Sequence, residues 1–292
     1  MIKRSHIRQF LAVVETGSFT QAAGRIRVTQ PTLSAGIADL ERMVGSRLFV
    51  RDRRHVRLTE AGGRFLPLAR ELDRNFRAVD GFGVKQASDW PALKLGVIRS
   101  VAAPVLETVV AALGKAFSIE MVEGSDSELR AALASGRVDM MLGLLRPEDK
   151  DDGAIALVTE PYVMFVPDAH SLAAEESVEP ERLASEIMIA RRSCEILDRT
   201  SAFFTRHQVR PRFSLRSESE ERCMAMVAAG LGITTAPLSH RRDGIVPIGV
   251  VGYDFARTLG LRSDPAWLSG ERRDDLARIA AELAERLVWA DR

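Results

Sequence analysis

Cysteine is nearly absent: two residues, Cys194 and Cys223, in 292. Two thiols are too few for a zinc site of the usual kind or for a disulfide framework. Cys223 shares a helical stripe with Met226 and Val227, which marks it as a small buried hydrophobe. Beside Cys194 stand Arg191 and Arg192, the nearby residues able to lower a thiol pKa. The five histidines, at 6, 55, 170, 207 and 240, show no metal-ligand spacing. No apolar run approaches a transmembrane helix, and the first ten residues, MIKRSHIRQF, lack the continuous apolar core of a signal peptide. The expected location is the cytoplasm. Gly230-Leu231-Gly232 is too short for a dinucleotide fingerprint, no phosphate loop occurs, and no serine sits in a nucleophile elbow. These gaps point away from an enzyme and leave no metal or cofactor to expect.

What is present is a charge asymmetry hidden in a net charge of +1. Residues 1–87 hold 16 Lys and Arg against 8 Asp and Glu, while the remainder holds 25 against 32. A basic first third is the electrostatic footprint of a phosphate-binding domain. The length allows two or three units with cores of their own.

Within the basic third, Ser18 to Glu41 predicts two short helices at a tight turn. Ser18 suits the first N-cap, with Gln21 placed to close a capping box. Phe19, Ala22, Ala23 and Ile26 then make one apolar stripe. Thr29 caps the second helix, Pro31 lies in its first turn, and Leu33, Ile37, Leu40 and Val44 continue the buried face. Gln30, Thr32, Ser34 and Ala35 remain on the other side, short enough to reach base edges from a major groove. An earlier helix, with Ser5 as its expected cap, carries Ile7, Phe10, Leu11 and Val14. After Gly45, residues 48–51 and 56–58 predict two short strands around the basic tip Asp52-Arg53-Arg54-His55, a wing suited to phosphate contacts.

From His6 to Gly62 these residues resemble the LysR-type transcriptional regulators. The resemblance is carried by Phe10, Glu15, Gly17-Ser18-Phe19-Thr20, Ala22-Ala23, Gln30-Pro31, Leu33-Ser34, Leu40-Glu41, Gly45, Leu48-Phe49, Arg51, Arg54, Leu58-Thr59 and Ala61-Gly62. It implies that the helix from Gln30 to Ser34 enters the major groove of double-stranded DNA and that the wing arginines touch its backbone. The candidate DNA-binding residues are therefore Ser18, Thr29, Gln30, Pro31, Thr32, Ser34, Arg51, Arg53 and Arg54. Many members carry a long basic or polar pair after that serine. Ala35-Gly36 stands here instead, and fewer base contacts are expected at that end.

Thr59 then caps a long helix reaching to about Gln86, striped with Phe65, Leu68, Leu72, Phe76 and Val79, which predicts a pairing between subunits. The resemblance implies the same dimer, and tetramers through the following domain. From Leu93, strands alternate with helices in an α/β layout. GSDSELRAALASGRVDMMLG and MVAAGLGITTAP are similar to segments of the family's effector-binding domain, which resembles periplasmic solute-binding proteins.

The expected organisation is thus α/β overall. An all-α winged helix-turn-helix spans 1–58, a linker helix 59–89, and a two-lobed effector-binding domain 90–292. Lobe I comprises 90–160 and 261–292, and lobe II 161–260. The resemblance places a small effector between the lobes. Loop and helix-start positions make Ser100, Val101, Ser125, Ser127, Arg191, Ser193 and Thr235 the candidate ligand residues, and free helix-start N–H groups favour an anion. A solute-binding protein sharing the two-lobed fold is the alternative, as is a regulator without a ligand.

Overall fold

In the computed structural model the described residues are 1–292 except 52–55, 82–89, 153, 265–266, 269–270 and 288–292. The chain divides into Met1–Asp89 and Trp90–Arg292.

The first unit is built on three helices, α1 (Arg4–Thr16), α2 (Phe19–Ile26) and α3 (Gln30–Val44). Ile7, Phe10, Ala22, Ala23, Leu33, Ile37 and Leu40 meet in its core, each fully buried or nearly so. Ser18 Oγ accepts from Gln21 N, and Thr29 Oγ1 from Thr32 N. The expected box at Gln21 does not form, because the Ser18 N–H is taken by Thr16 Oγ1 at 3.4 Å. Nor does Ser5 cap α1: the helix starts two residues earlier, with Lys3 at the cap and the His6 ring accepting the Lys3 N–H at 3.2 Å.

The wing strands β1 (Phe49–Arg51) and β2 (Val56–Leu58) pair antiparallel, Val50 opposite Arg57. Glu41 fixes this wing to α3: its Oε1 accepts from Leu48 N at 2.8 Å and Phe49 N at 3.1 Å. Helix α4 (Glu60–Gly81) follows, with Thr59 Oγ1 accepting from Gly62 N at 2.9 Å. The further reach expected to Gln86 lies outside the described residues.

The second unit opens with strands β3 (Ala92–Ile98), β4 (Ser118–Gly124) and β5 (Met140–Leu144), all parallel, joined through α5 (Ala103–Leu113) and α6 (Asp126–Ala134). Strand β6 runs from Ile155 to Pro167. Its first half pairs with β12 (Ala256–Ser263), its second half with β10 (Thr234–Pro237) and β11 (Ile245–Val250). One strand therefore belongs to both lobes. The second crossing comes before Ala256, where pairing to the lobe I strands begins, rather than at 260.

Lobe I is closed by α9 (Glu271–Arg286), whose Leu276, Ile279 and Leu283 join Val105, Val109 and Leu95 in one core. Lobe II adds β7 (Ser177–Val178), β8 (Ile187–Arg191), α7 (Leu197–Arg206), β9 (Arg212–Ser217) and α8 (Glu220–Ala228). Among the described residues no helix is long and apolar enough to cross a membrane.

Candidate nucleic-acid interface and ligand cleft

Of the candidate DNA residues, Gln30, Pro31 and Thr32 are exposed at the start of α3 and Ser34 is half-buried. Gln30 Nε2 donates to Ser34 Oγ at 3.1 Å, one turn on, so the amide is held along the helix with its oxygen free. Thr29 Oγ1 and Thr32 Oγ1 lie 2.8 Å apart. Ser18 and Thr29 spend their hydroxyls on capping. Arg51 ends β1, Arg53 and Arg54 lie outside the described residues, and Arg57 is exposed on β2. Gly36 has a packing reason: a Cβ there would stand 1.8 Å from Gln9 Oε1, so the residue lets α1 lie against α3. Of the short pair, Gly36 thus serves helix packing, while Ala35 is exposed.

The seven candidate ligand residues do not share one site. Ser100, Ser125, Ser127 and Ser193 line a cavity of about 440 Å³ between the lobes. Arg191 and Thr235 line another, of about 480 Å³, within lobe II. Val101 lines neither; it is buried in the core of lobe I, and its place in the ligand set is withdrawn on that ground.

The interlobe cleft is shaped by charge pairs that hold its walls. Ser125 caps α6 and shares a box with Glu128, whose Oε2 accepts from Ser125 N at 2.7 Å and Ser125 Oγ at 2.9 Å. Of the first-turn N–H groups of α6, expected to be free for an anion, that of Glu128 is taken by Ser125 Oγ. The two Ser125 donors also hold the Glu128 carboxyl below its usual range. Arg146 pairs with Asp126 at 2.5 Å, and Arg130 joins Asp126 to Asp149. Arg130, by hydrogen bonding, brings the Asp149 carboxyl down to about 2.

On the lobe II side, Ser193 Oγ lies 2.6 Å from Glu220 Oε1 and 3.0 Å from the Glu218 carbonyl. The Arg192 guanidinium and the Glu218 carboxylate, both lining the cleft, are unpaired among the described residues. Among the described residues the cleft thus offers one free cation and one free carboxylate, while the hydroxyls of Ser100, Ser125 and Ser193 are committed to its walls.

Behind Ser100 lies a buried polar network that the sequence did not reveal. Arg257 Nη1 reaches Ser100 O and Oγ, both at 3.1 Å, and Glu195 Oε1 at 2.7 Å, while its Nε donates to Glu160 Oε1 at 2.9 Å. His240 Nε2 lies 3.1 Å from Ser100 O. Glu160 also accepts from Ser239 N at 2.7 Å. Ser100 is only 2 % exposed, so its hydroxyl serves the network first. Burial alone would raise the Glu195 carboxyl, but Arg257 beside it holds it low. The Glu195 Oε2 atom, by contrast, is buried without a hydrogen-bond partner, on a residue that lines the cleft.

Arg191, 2 % exposed, pairs with Glu220 and donates to Thr235 O at 2.8 Å, so it is structural in its main contacts. Burial raises both thiols, Cys194 above its usual range and Cys223 to about 11. Among the described residues no cluster of three or more His, Cys, Asp or Glu has the geometry to hold a metal.

Comparison with known proteins agrees with this division. Residues 5–63 match the bacterial regulatory helix-turn-helix protein, lysR family, and residues 90–286 match the LysR substrate binding domain. The chain is 31 % identical over 253 residues to the HTH-type transcriptional regulator CatR of Pseudomonas putida, covering 82 % of this chain and 85 % of that one. It is 30 % identical over 299 residues to a probable hydrogen peroxide-inducible genes activator of Mycobacterium avium, covering 97 % and 93 %. A full-length OxyR point variant from Pseudomonas aeruginosa has the same fold, with a TM-score of 0.57 at 22 % identity over 97 % of this chain and 98 % of that one. Two domain matches in family order, over nearly the whole chain, place it in the LysR family, as a DNA-binding transcriptional regulator with a substrate binding domain and not an enzyme.

Proposed function

We propose that this regulator works in the cytoplasm and answers to a small polar acid bound between the lobes, one that also carries hydrogen-bond donors. The observation that supports this reading is the chemistry of the cleft. The free Arg192 guanidinium suits a carboxylate, while Glu218 suits N–H or O–H groups on the same molecule. On the DNA side, Gln30, Pro31, Thr32 and Ser34 face the bases, and Arg51, Arg53 and Arg54 hold phosphates.

A second reading comes from the relatives, several of which are named hydrogen peroxide-inducible activators. Cys194 lines both cavities and is the thiol to consider. A peroxide response runs through the thiolate, and burial disfavours that form here. The ligand reading is therefore preferred.

Footprinting of the full-length protein on the DNA upstream of its own gene, with a panel of amino and hydroxy acids and with hydrogen peroxide, separates the two. A shift with an acid that survives Cys194→Ser and is lost in Ser127→Trp supports the cleft; a shift with peroxide alone, lost in Cys194→Ser, supports the thiol. In the same assay Gln30→Ala should cost about 1–3 kcal/mol on the preferred site and flatten discrimination among operator variants.

A further inference from the structure

Lobe II contains a cavity of its own. Its volume is about 480 Å³, within the range of roughly 300–1,000 Å³ typical of small-molecule pockets. All its lining residues fall between Met188 and Thr235, on β8, α7, β9, β10 and the turns joining them. No residue of lobe I contributes.

The two ends of this cavity differ in chemistry. Its floor is apolar: Met188, Ile189, Phe204 and Val209 line it and are each at most 5 % exposed. Such a floor does not hold ordered water well, because water needs two or more polar partners. At the mouth stand the exposed arginines Arg192, Arg210 and Arg216, with Asp198 as the one carboxylate of the lining. Arg216 lies over the Phe213 ring, 4.7 Å from its centre, a flat cationic edge against which an aromatic ring or a carboxylate can lie. Arg210 and Arg192 are unpaired among the described residues. A fourth arginine, Arg191, lies in the lining, nearly fully buried, and its Nη2 has no hydrogen-bond partner.

The contrast with the interlobe cleft is one of charge balance. There three arginines meet three acids, Asp126, Glu195 and Glu218, and the walls are serines. Here three exposed arginines, Arg192, Arg210 and Arg216, meet one acid, Asp198, while Arg191 is balanced by Glu220, and the floor is hydrocarbon and aromatic. A molecule suited to the second cavity has an apolar body and a single anionic head.

We propose that this cavity is a second ligand site, separate from the cleft, for a hydrophobic monocarboxylate with an aryl or medium-length alkyl chain. The chain lies on Phe204 and Val209, and the carboxylate meets Arg210 and Arg192 at the mouth. The site abuts the cleft through Arg192 and Cys194, which line both, so occupancy of one bears on the position of Arg192 in the other.

Calorimetry on the full-length protein tests this with 4-phenylbutyrate as probe and 4-phenylbutanamide as its uncharged counterpart. The expected result is saturable binding of the acid, with the amide weaker by about tenfold, the loss of one charge-assisted hydrogen bond. Arg210→Gln should weaken the acid by about the same factor and leave the amide unchanged. Thr205→Trp, an exposed plug at the mouth, should abolish binding, while Ser127→Trp in the cleft should leave it intact. Absence of saturable binding to the wild-type protein, equal affinity for acid and amide, or loss in Ser127→Trp with retention in Thr205→Trp would each overturn the proposal. Should Thr205→Trp perturb folding, the Arg210→Gln and amide comparisons decide the matter alone.

Discussion

His240 sits where three charged groups converge without taking up a proton itself. Burial is the main reason its pKa lies well below the ordinary 6.5, and the neighbouring Arg191 and Arg257 add to it. Glu220 at 4.0 Å is already committed to Arg191. A neutral ring can still donate from Nε2 to the Ser100 carbonyl, which is the contact seen. In the unfolded chain the same ring titrates near its ordinary value. Above that pH neither state binds the proton, and the contribution to stability is complete. As pH falls from about 7 to 5 only the unfolded chain takes it up, so stability declines, with a limiting slope of about 1.4 kcal/mol per unit for one proton. Denaturant unfolding across this window should show that slope in the wild type. His240→Gln keeps a donor for Ser100 but cannot titrate, and should show a shallower decline. Parallel curves for the two proteins would exclude a neutral His240 as their source.

At the scale of elements, α4 shows how one stripe can serve two partners. The periodicity of Phe65, Leu68, Leu72, Phe76 and Val79 predicted a single face for a subunit partner. In the structure Phe65 is buried in the winged domain, its ring 5.1 Å from Phe10, and Ala69 is fully buried beside it. Arg4 of α1 lies over the Phe76 ring. Only Leu68, Leu72 and Val79 are left outward, 56, 40 and 70 % exposed. The first three helices therefore do not fill their own core; α4 completes it with one edge and keeps the other edge apolar. Leu72→Asp should yield monomers by sedimentation with an unchanged melting transition, whereas Phe65→Asp should unfold the winged domain. A wild-type chain that stays monomeric at micromolar concentration would remove the dimer from the account.

The same comparison shows what was legible in the chain. Caps at Ser18, Thr29 and Thr59 were readable because each is local, a side chain bonding to an N–H three residues on. The helix stripes and most of the strands were readable from their periods. The network around Ser100 was not, since its partners Arg257 and His240 lie 157 and 140 positions away and nothing local marks an arginine for burial. The seven ligand candidates were read as loop and helix-start positions, but Arg191 and Thr235 lie in β8 and β10, and the set is divided between two cavities and a core. That division depends on how β8, α7 and β9 pack, which periodicity does not report.

For the whole molecule the question is what a ligand in the cleft has to overcome. The expected bounds, 90–160 and 261–292 against 161–260, leave two crossings between the lobes. The lobes share β6, and they are also tied by His240 to the Ser100 carbonyl and by Arg257 to Glu195. Breaking that tie strands the buried His240 ring and the Glu195 carboxylate, at about 1–3 kcal/mol for an unsatisfied neutral group and more for a charged one. A ligand shifts the lobes only if its affinity for the two arrangements differs by at least that much. The resulting preference must then act in both directions: the factor by which ligand changes operator affinity equals the factor by which operator changes ligand affinity. We expect the footprint to change more than the affinity, so both factors should be small and equal, below about tenfold, a coupling under roughly 1.4 kcal/mol. The measurement is the full cycle, with ligand titrated into free and operator-bound protein and operator into free and ligand-bound protein. A footprint that moves while the ligand binds free and DNA-bound protein with affinities more than a hundredfold apart, a gap of about 2.7 kcal/mol, would mean that the lobe tie does not limit the response.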